Sequence, residues 1–196
     1  MPGIKDVAVE FAAFVDDLCT ERADLIDSIA ALNNGFEGWL KLEFYFWLIK
    51  NRKLRAAIDD GSNDRDVGME YKVALDQRHA AMDRKTKQCD LWVRNHDENG
   101  FHFIELKAPF FNGNRGKMIR SAADDLWYMS RLTGAHEQVV TGSTIAVGIR
   151  FTGEQWAAQV ESVRAYSETT SKPVSVKIGS LGKHQRAHWA ALTVQY

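Results

Sequence analysis

The 196-residue sequence predicts an α/β (mixed α+β) chain, a central mixed β-sheet flanked by helices on both faces. Apolar residues recur at three- and four-residue spacing near the start, which is the helical period. Short β-type runs bounded by Gly, Asn and Pro follow. The resulting order is helix, helix, three strands, helix, strand, helix, two strands, and a mixed sheet covered on both faces is its most economical solution.

Taken in order, Ile4, Val7, Phe11, Phe14, Val15, Leu18, Leu25, Ile26 and Ile29 mark an amphipathic helix or helix pair over residues 4 to 32, with a solvated acidic face. Asn33, Asn34 and Gly35 end it, and a second helix runs from about Phe36 to Ile58. Residues 59 to 66 are a loop by turn chemistry. Gly68 to Leu75 alternates as a strand, and the polar stretch DQRHAAMDRKTK connects it onward. Residues 88 to 110 hold two apolar strands joined by the polar loop Asn95 to Gly100, which reads as an antiparallel hairpin. Pro109 ends the second of them. FNGNRG then forms a glycine-bearing loop before a helix of about Lys117 to Leu132. Ser143 to Phe151 reads as a buried strand, 153 to 167 as a helix, and 174 to 178 and 188 to 195 as closing strands.

With 45% hydrophobic and 26% charged residues, the chain suits one domain over residues 1 to 196. The longest strongly apolar run, Phe44 to Ile49, is far below the roughly 18 residues of a membrane span. No basic segment followed by an apolar one opens the chain, so a cytoplasmic location is the default expectation. Cys19 and Cys89 lack any CxxC spacing, which argues against a disulfide framework and a zinc ribbon. The net charge of −1 does not announce a nucleic-acid binder, but it is unevenly spread. Residues 1 to 32 carry seven acidic groups against Lys5 and Arg22, whereas residues 172 to 196 carry Lys172, Lys177, Lys183 and Arg186 with no acid. Such segregation permits a phosphate-facing surface on a nearly neutral protein, and ordinary solvated faces explain it equally well.

The chemistry concentrates in residues 88 to 110. Along the second hairpin strand Phe101, Phe103, Glu105 and Lys107 share one face and His102, Ile104 and Leu106 the other. Antiparallel pairing brings Asp90 beside Glu105 and Lys107. In the second helix Glu43 is enclosed by Leu42, Phe44, Tyr45, Phe46, Trp47 and Leu48, so it needs a cation, a metal or a hydrogen-bond partner. Glu37 is explained by the helix dipole. Hard oxygen donors of this kind suit Mg²⁺, which shares phosphate oxygens, and Lys107 can position or help deprotonate a water and stabilise a phosphorane.

Asp90 followed after fourteen residues by Glu105-Leu106-Lys107 resembles the PD-(D/E)xK, or restriction-endonuclease-like, nuclease superfamily. The order of elements over residues 36 to about 151 resembles its core of a helix, a three-stranded meander, a helix and a further strand. On this resemblance residues 1 to 35 are a helical extension and 152 to 196 a C-terminal addition. Cys89 stands where proline is common. The resemblance implies Mg²⁺-dependent phosphodiester hydrolysis, with Mn²⁺ as a possible substitute, usually of DNA in restriction, defence, repair or recombination. It implies Asp90, Glu105, Lys107 and Glu43 as catalytic residues. Metal ligands would be Asp90, Glu105, the Leu106 backbone carbonyl and Glu43, with Glu37 as second choice.

Arg115, Lys117, Arg120, Lys183 and Arg186 are candidate nucleic-acid contacts, the first three evenly divided between that role and a solvated helix start. His184 and His188 have helical zinc spacing, but Gly179, Gly182 and β-type neighbours argue against a helix there. Trp127 and Tyr128 read as core, Asp124 and Asp125 as the solvent face of their helix. A homodimer is expected, since one such core makes one cut and a duplex has two strands. Near-neutral charge and the lack of a recognisable DNA-reading module keep a second function open, a catalytically silent nuclease-like fold that binds nucleic acid or a protein partner.

Overall fold

The structure, a computed structural model, describes residues 4–32, 36–57, 65–78, 84–110, 113–133, 138–166, 172–182 and 187–196. The elements are α1 (Val7–Leu32), α2 (Phe36–Arg52), β1 (Val67–Leu75), β2 (Thr86–Asn95), β3 (Gly100–Phe110), α3 (Arg115–Met129), β4 (Leu132–Thr133), β5 (Gln138–Ile149), α4 (Gly153–Tyr166), β6 (Val174–Leu181) and β7 (Ala187–Gln195). The strands form one seven-stranded sheet in the order β4-β1-β2-β3-β5-β7-β6. β3 and β5 are parallel and α3 lies between them in the chain, as a crossover requires; the other pairs are antiparallel.

Alternation along β5 and β7 explains the two layers of helix. Ile145, Val147, Ile149, Trp189 and Ala191 face α1 and α2. Ala146, Ala190, Leu192 and Val194 face α3 and α4 around Trp156. Both faces of these central strands are apolar because both are covered. A third cluster packs Val73, Leu75, Cys89, Phe101 and Phe103 beneath Tyr128 and Met129 of α3.

Several expectations change in detail. The first helix is continuous but kinked, with Arg22 at φ −142°, and Asp6 caps it by accepting the Ala8 and Val9 amides. Its acidic face is partly engaged rather than solvated: Glu10 pairs with Arg52, and Asp17 accepts from the Trp47 indole at 2.8 Å. α2 stops at Arg52, where Lys53 enters the left-handed region at φ +56°. β3 runs through Pro109 to Phe110, its register against β5 shifting between Lys107 and Phe110, which is where a residue lacking an amide hydrogen is tolerated. The two-residue β4, pairing with Ala74 and Leu75, was not anticipated. Among the described residues no helix is long and apolar enough to cross a membrane.

α3 closes onto β5 at Gly142, where an added Cβ would meet the Met129 carbonyl oxygen at 2.5 Å. Backbone cannot give way cheaply, so Gly142→Ala is expected to lower unfolding stability by roughly 1–3 kcal/mol, measured by urea denaturation.

Candidate functional site

The β2–β3 ladder runs from Asn95 opposite Gly100 to Leu91 opposite Ile104 and ends there. Two β3 amides beyond that point bond to side chains instead. Leu106 N–H donates to Asp90 Oδ2 at 2.8 Å, and Ala108 N–H donates to Glu37 Oε2 at 3.0 Å. Since N–H and C=O of one residue point to the same side of an extended strand, the Leu106 carbonyl opens onto the same gap.

The break coincides with a change of face in β1 and β2. Met69 and Leu91 pack toward α2, whereas Val73 and Cys89 pack toward α3. Between them lies Glu70 at φ +55°, a backbone region that non-glycine residues seldom occupy. Glu70 Oε1 and Asp90 Oδ1 are joined by Lys41 Nζ at 2.5 and 3.1 Å, and Gln88 donates to Glu70 Oε2 at 2.7 Å. Burial opposes charge on Lys41, but Glu70 and Asp90 outweigh it and raise the Lys41 pKa.

On the α3 side stands a four-membered charge ring. Lys87 Nζ lies 3.0 Å from Glu105 Oε1 and 2.6 Å from Asp125 Oδ1. Lys107 Nζ lies 3.1 Å from Glu105 Oε1 and 3.1 Å from Asp125 Oδ2. Two amino groups and two carboxyl groups alternate around it, and all four side chains are largely buried. Desolvation, reinforced by Asp125 and Asp90, pushes the Glu105 carboxyl up to about 7. Burial acts against charge on Lys107 and Lys87, yet the neighbouring carboxylates overcome it and raise both. Glu105 Oε2 is buried with no hydrogen-bond partner among the described residues.

Asp90, Glu105, Leu106 and Lys107 are therefore brought to one end of the β2–β3 pair, and the helical carboxylate beside them is Glu37, not Glu43. Glu43 pairs with Arg22 at 2.7 Å and lines a small cleft between α1 and α2 with Phe46 and Trp47. Glu37 and Lys41 are one helical turn apart, whereas Glu43 lies about 240° round from Glu37. The apolar neighbours of Glu43 do not enclose it, because Phe46 is 60% and Leu42 46% exposed.

Arg115, Lys117 and Arg120 are exposed on the first turns of α3, about 7 to 15 Å along the helix from Asp125. Lys183, Arg186 and His184 lie outside the described residues. His188 sits in β7 with Nε2 against the Phe151 carbonyl at 2.9 Å, not on a helix. Sequence reasoning missed Lys41, Glu70, Lys87 and Asp125. For Asp125 there was a signal: it sits at helical spacing from buried Ala122 and Met129.

Among the described residues no group of three or more His, Cys, Asp or Glu side chains is gathered as a metal cage. The donors present still fit Mg²⁺, which takes one or two carboxylates and fills the rest of its shell with water and substrate phosphate. The unpartnered Glu105 oxygen is the atom such an ion would satisfy. Comparison with family models, curated proteins and solved structures gives no match for this chain, so the reading of the site rests on its geometry.

Glu105 titrates above an ordinary glutamate value of 4.5, so its folded form holds an extra proton between about pH 4.5 and 7. Its contribution to stability is complete below that window and is lost as pH rises through it. Wild type should therefore lose stability across the window relative to Glu105→Gln, measured by thermal unfolding in a pH series. Asp125→Asn removes a repelling charge and should move the Glu105 midpoint down.

Proposed function

We infer that this chain is a metal-dependent nuclease that hydrolyses phosphodiester bonds, with DNA as the first substrate to test. The observation that carries the reading is the docking of the Asp90 carboxylate on the Leu106 amide, inside the Glu105-Leu106-Lys107 segment. The α2-β1-β2-β3-α3-β5 order supports it, since it resembles the PD-(D/E)xK core.

Mg²⁺ bound here would neutralise charge on the phosphate and make a bound water more acidic. The chain's own residues have separable tasks. Asp90, Glu105 and the Leu106 carbonyl would hold the cation, and Glu37 keeps the end of β3 in place through Ala108. Lys107 remains protonated near neutral pH because the carboxylates around it raise its pKa. It therefore acts as a fixed positive charge that positions water and stabilises the phosphorane, not as a base. Arg115, Lys117 and Arg120 would hold the flanking backbone. Glu105, poised at about 7, would give up its proton when the cation arrives.

One observation favours the second reading, a silent nuclease-like fold used for binding. Each carboxylate already has a cation: Asp90 has Lys41, and Glu105 has Lys87 and Lys107. Activity assays separate the two. Supercoiled, nicked, linear and single-stranded DNA and RNA are incubated with Mg²⁺ or chelator. Wild type should cleave at least one of them with Mg²⁺ alone, and Asp90→Asn, Glu105→Ala and Lys107→Ala should each lose about 10²–10⁴-fold. Glu37→Gln should cost more than Glu43→Gln. Absence of metal-dependent cleavage, or cleavage indifferent to Glu105 and Lys107, leaves the binding reading.

A further inference from the structure

The cation position beside Asp90 is already taken by an ammonium group of the chain itself. Asp90 presents two carboxylate oxygens. Oδ2 accepts the Leu106 amide at 2.8 Å and is committed to the backbone, so Oδ1 is the oxygen left for a cation. Lys41 Nζ stands against it at 3.1 Å. The same ammonium lies closer to Glu70 Oε1, at 2.5 Å. The Lys41 and Asp90 side chains are only 17% and 15% exposed, so their pair differs from the solvated surface pairs that form and part at little cost.

Glu70 is built to keep that ammonium. Its backbone stands at φ +55°, a region that a non-glycine residue occupies only where the surrounding structure imposes it. Its second oxygen, Oε2, accepts from the Gln88 side-chain amide at 2.7 Å, which fixes the plane of the carboxylate. Glu70 has no part in the cation shell described above. Its side chain is half exposed, so the Lys41–Glu70 end of the chain of charges opens to solvent while the Lys41–Asp90 end is covered.

A lysine ammonium is a compact point charge on a flexible stem, and it serves phosphate as readily as carboxylate. It cannot share Asp90 Oδ1 with a divalent cation, because like charges so close repel strongly in a half-buried site. Retreat toward Glu70, the nearer carboxylate, gives up one of two bonds and leaves the ammonium neutralised. It also leaves an N–H to donate to a phosphate oxygen that arrives from the exposed side. We propose that Lys41 is a tethered counter-ion: it caps Asp90 in the metal-free chain, yields Asp90 to the divalent cation while staying on Glu70, and then holds an oxygen of the scissile phosphate. Glu70 is its positioning residue. The two uses oppose each other, so Lys41 weakens metal binding and strengthens phosphate binding. This deepens the nuclease reading and rests on it for the cation and the phosphate.

Mn²⁺ affinity is measured on the full chain by electron paramagnetic resonance of the free ion, and thymidine 5′-phosphate affinity by calorimetry at saturating Mn²⁺. Lys41→Met, which keeps the stem and removes the charge, should bind Mn²⁺ about tenfold more tightly. It should bind thymidine 5′-phosphate several-fold more weakly. Lys41→Arg, which keeps the charge, should stay close to wild type in both. A merely structural role for Lys41 would weaken both affinities in Lys41→Met. Both movements are required, so Mn²⁺ affinity that is unchanged or weaker, or nucleotide affinity that does not fall, overturns the proposal. Where Lys41→Met fails to fold, Glu70→Gln carries the test from the other side. The ammonium then rests on Asp90 alone and Mn²⁺ affinity should fall several-fold; unchanged affinity overturns the proposal, as does a lack of Mn²⁺ binding by wild type and every variant. The opposed movements without cleavage of any nucleic acid remove the nuclease reading and leave the tethered counter-ion. Mg²⁺-dependent cleavage with Mn²⁺ affinity indifferent to Lys41 does the reverse.

Discussion

Everything distinctive in this molecule depends on two β3 amides that lack a strand partner. Once the β2–β3 ladder ends at Leu91 and Ile104, Leu106 and Ala108 must find acceptors or cost about 1–3 kcal/mol each. Asp90 reaches across the opening for the first and Glu37 descends from α2 for the second. Two carboxylates are thereby drawn to one strand end by backbone bonding alone. Negative charge gathered this way requires compensation, and Lys41, one helical turn beyond Glu37, supplies part of it. The sheet defect, the helix placement and the acidic character of the site are consequences of one constraint.

The opposite face solves a different problem. Glu105 and Lys107 follow Phe101 and Phe103 on the side of β3 that α3 covers, so their charges enter a partly apolar layer. Lys87 and Asp125 close the ring. Rings of this sort contribute little net stability, because desolvating four charges consumes most of what their attraction returns. Their physical effect is to hold groups in place with shifted protonation. Burial and the neighbouring carboxylates push the Glu105 carboxyl up to about 7, while the same carboxylates favour the charged forms of both lysines. A divalent cation arriving at the unpartnered Glu105 oxygen would replace a proton instead of breaking a finished network.

Much of the fold was legible because its signals are local. The continuous buried run of β5, the polar hairpin loop after Asn95 and the glycine-bearing loop ahead of α3 all act over a few residues, whereas Pro109, read as the end of β3, lies inside it. The pairing of β2 with β3, and with it the neighbourhood of Asp90, Glu105 and Lys107, followed from the hairpin. What failed needed long-range information. Lys41 meets Asp90 across 49 residues and Lys87 meets Asp125 across 38, and no periodicity announces such a meeting. Glu43 was preferred to Glu37 because its apolar neighbours implied burial. Phe46 and Leu42 are instead exposed, so local composition misled where helix phase would have served. The same reliance on composition placed Asp125 in solvent.

The opening between β2 and β3 is proposed as a divalent-cation site. The most direct test is the amide spectrum of the ¹⁵N-labelled chain during titration with substoichiometric Mn²⁺, whose paramagnetism broadens nearby resonances. The Leu106 amide and its neighbours should broaden first, Mg²⁺ should compete the effect away, and Asp90→Asn should abolish it. Broadening that begins at the carboxylates of α1 and leaves Leu106 sharp would overturn the proposed site.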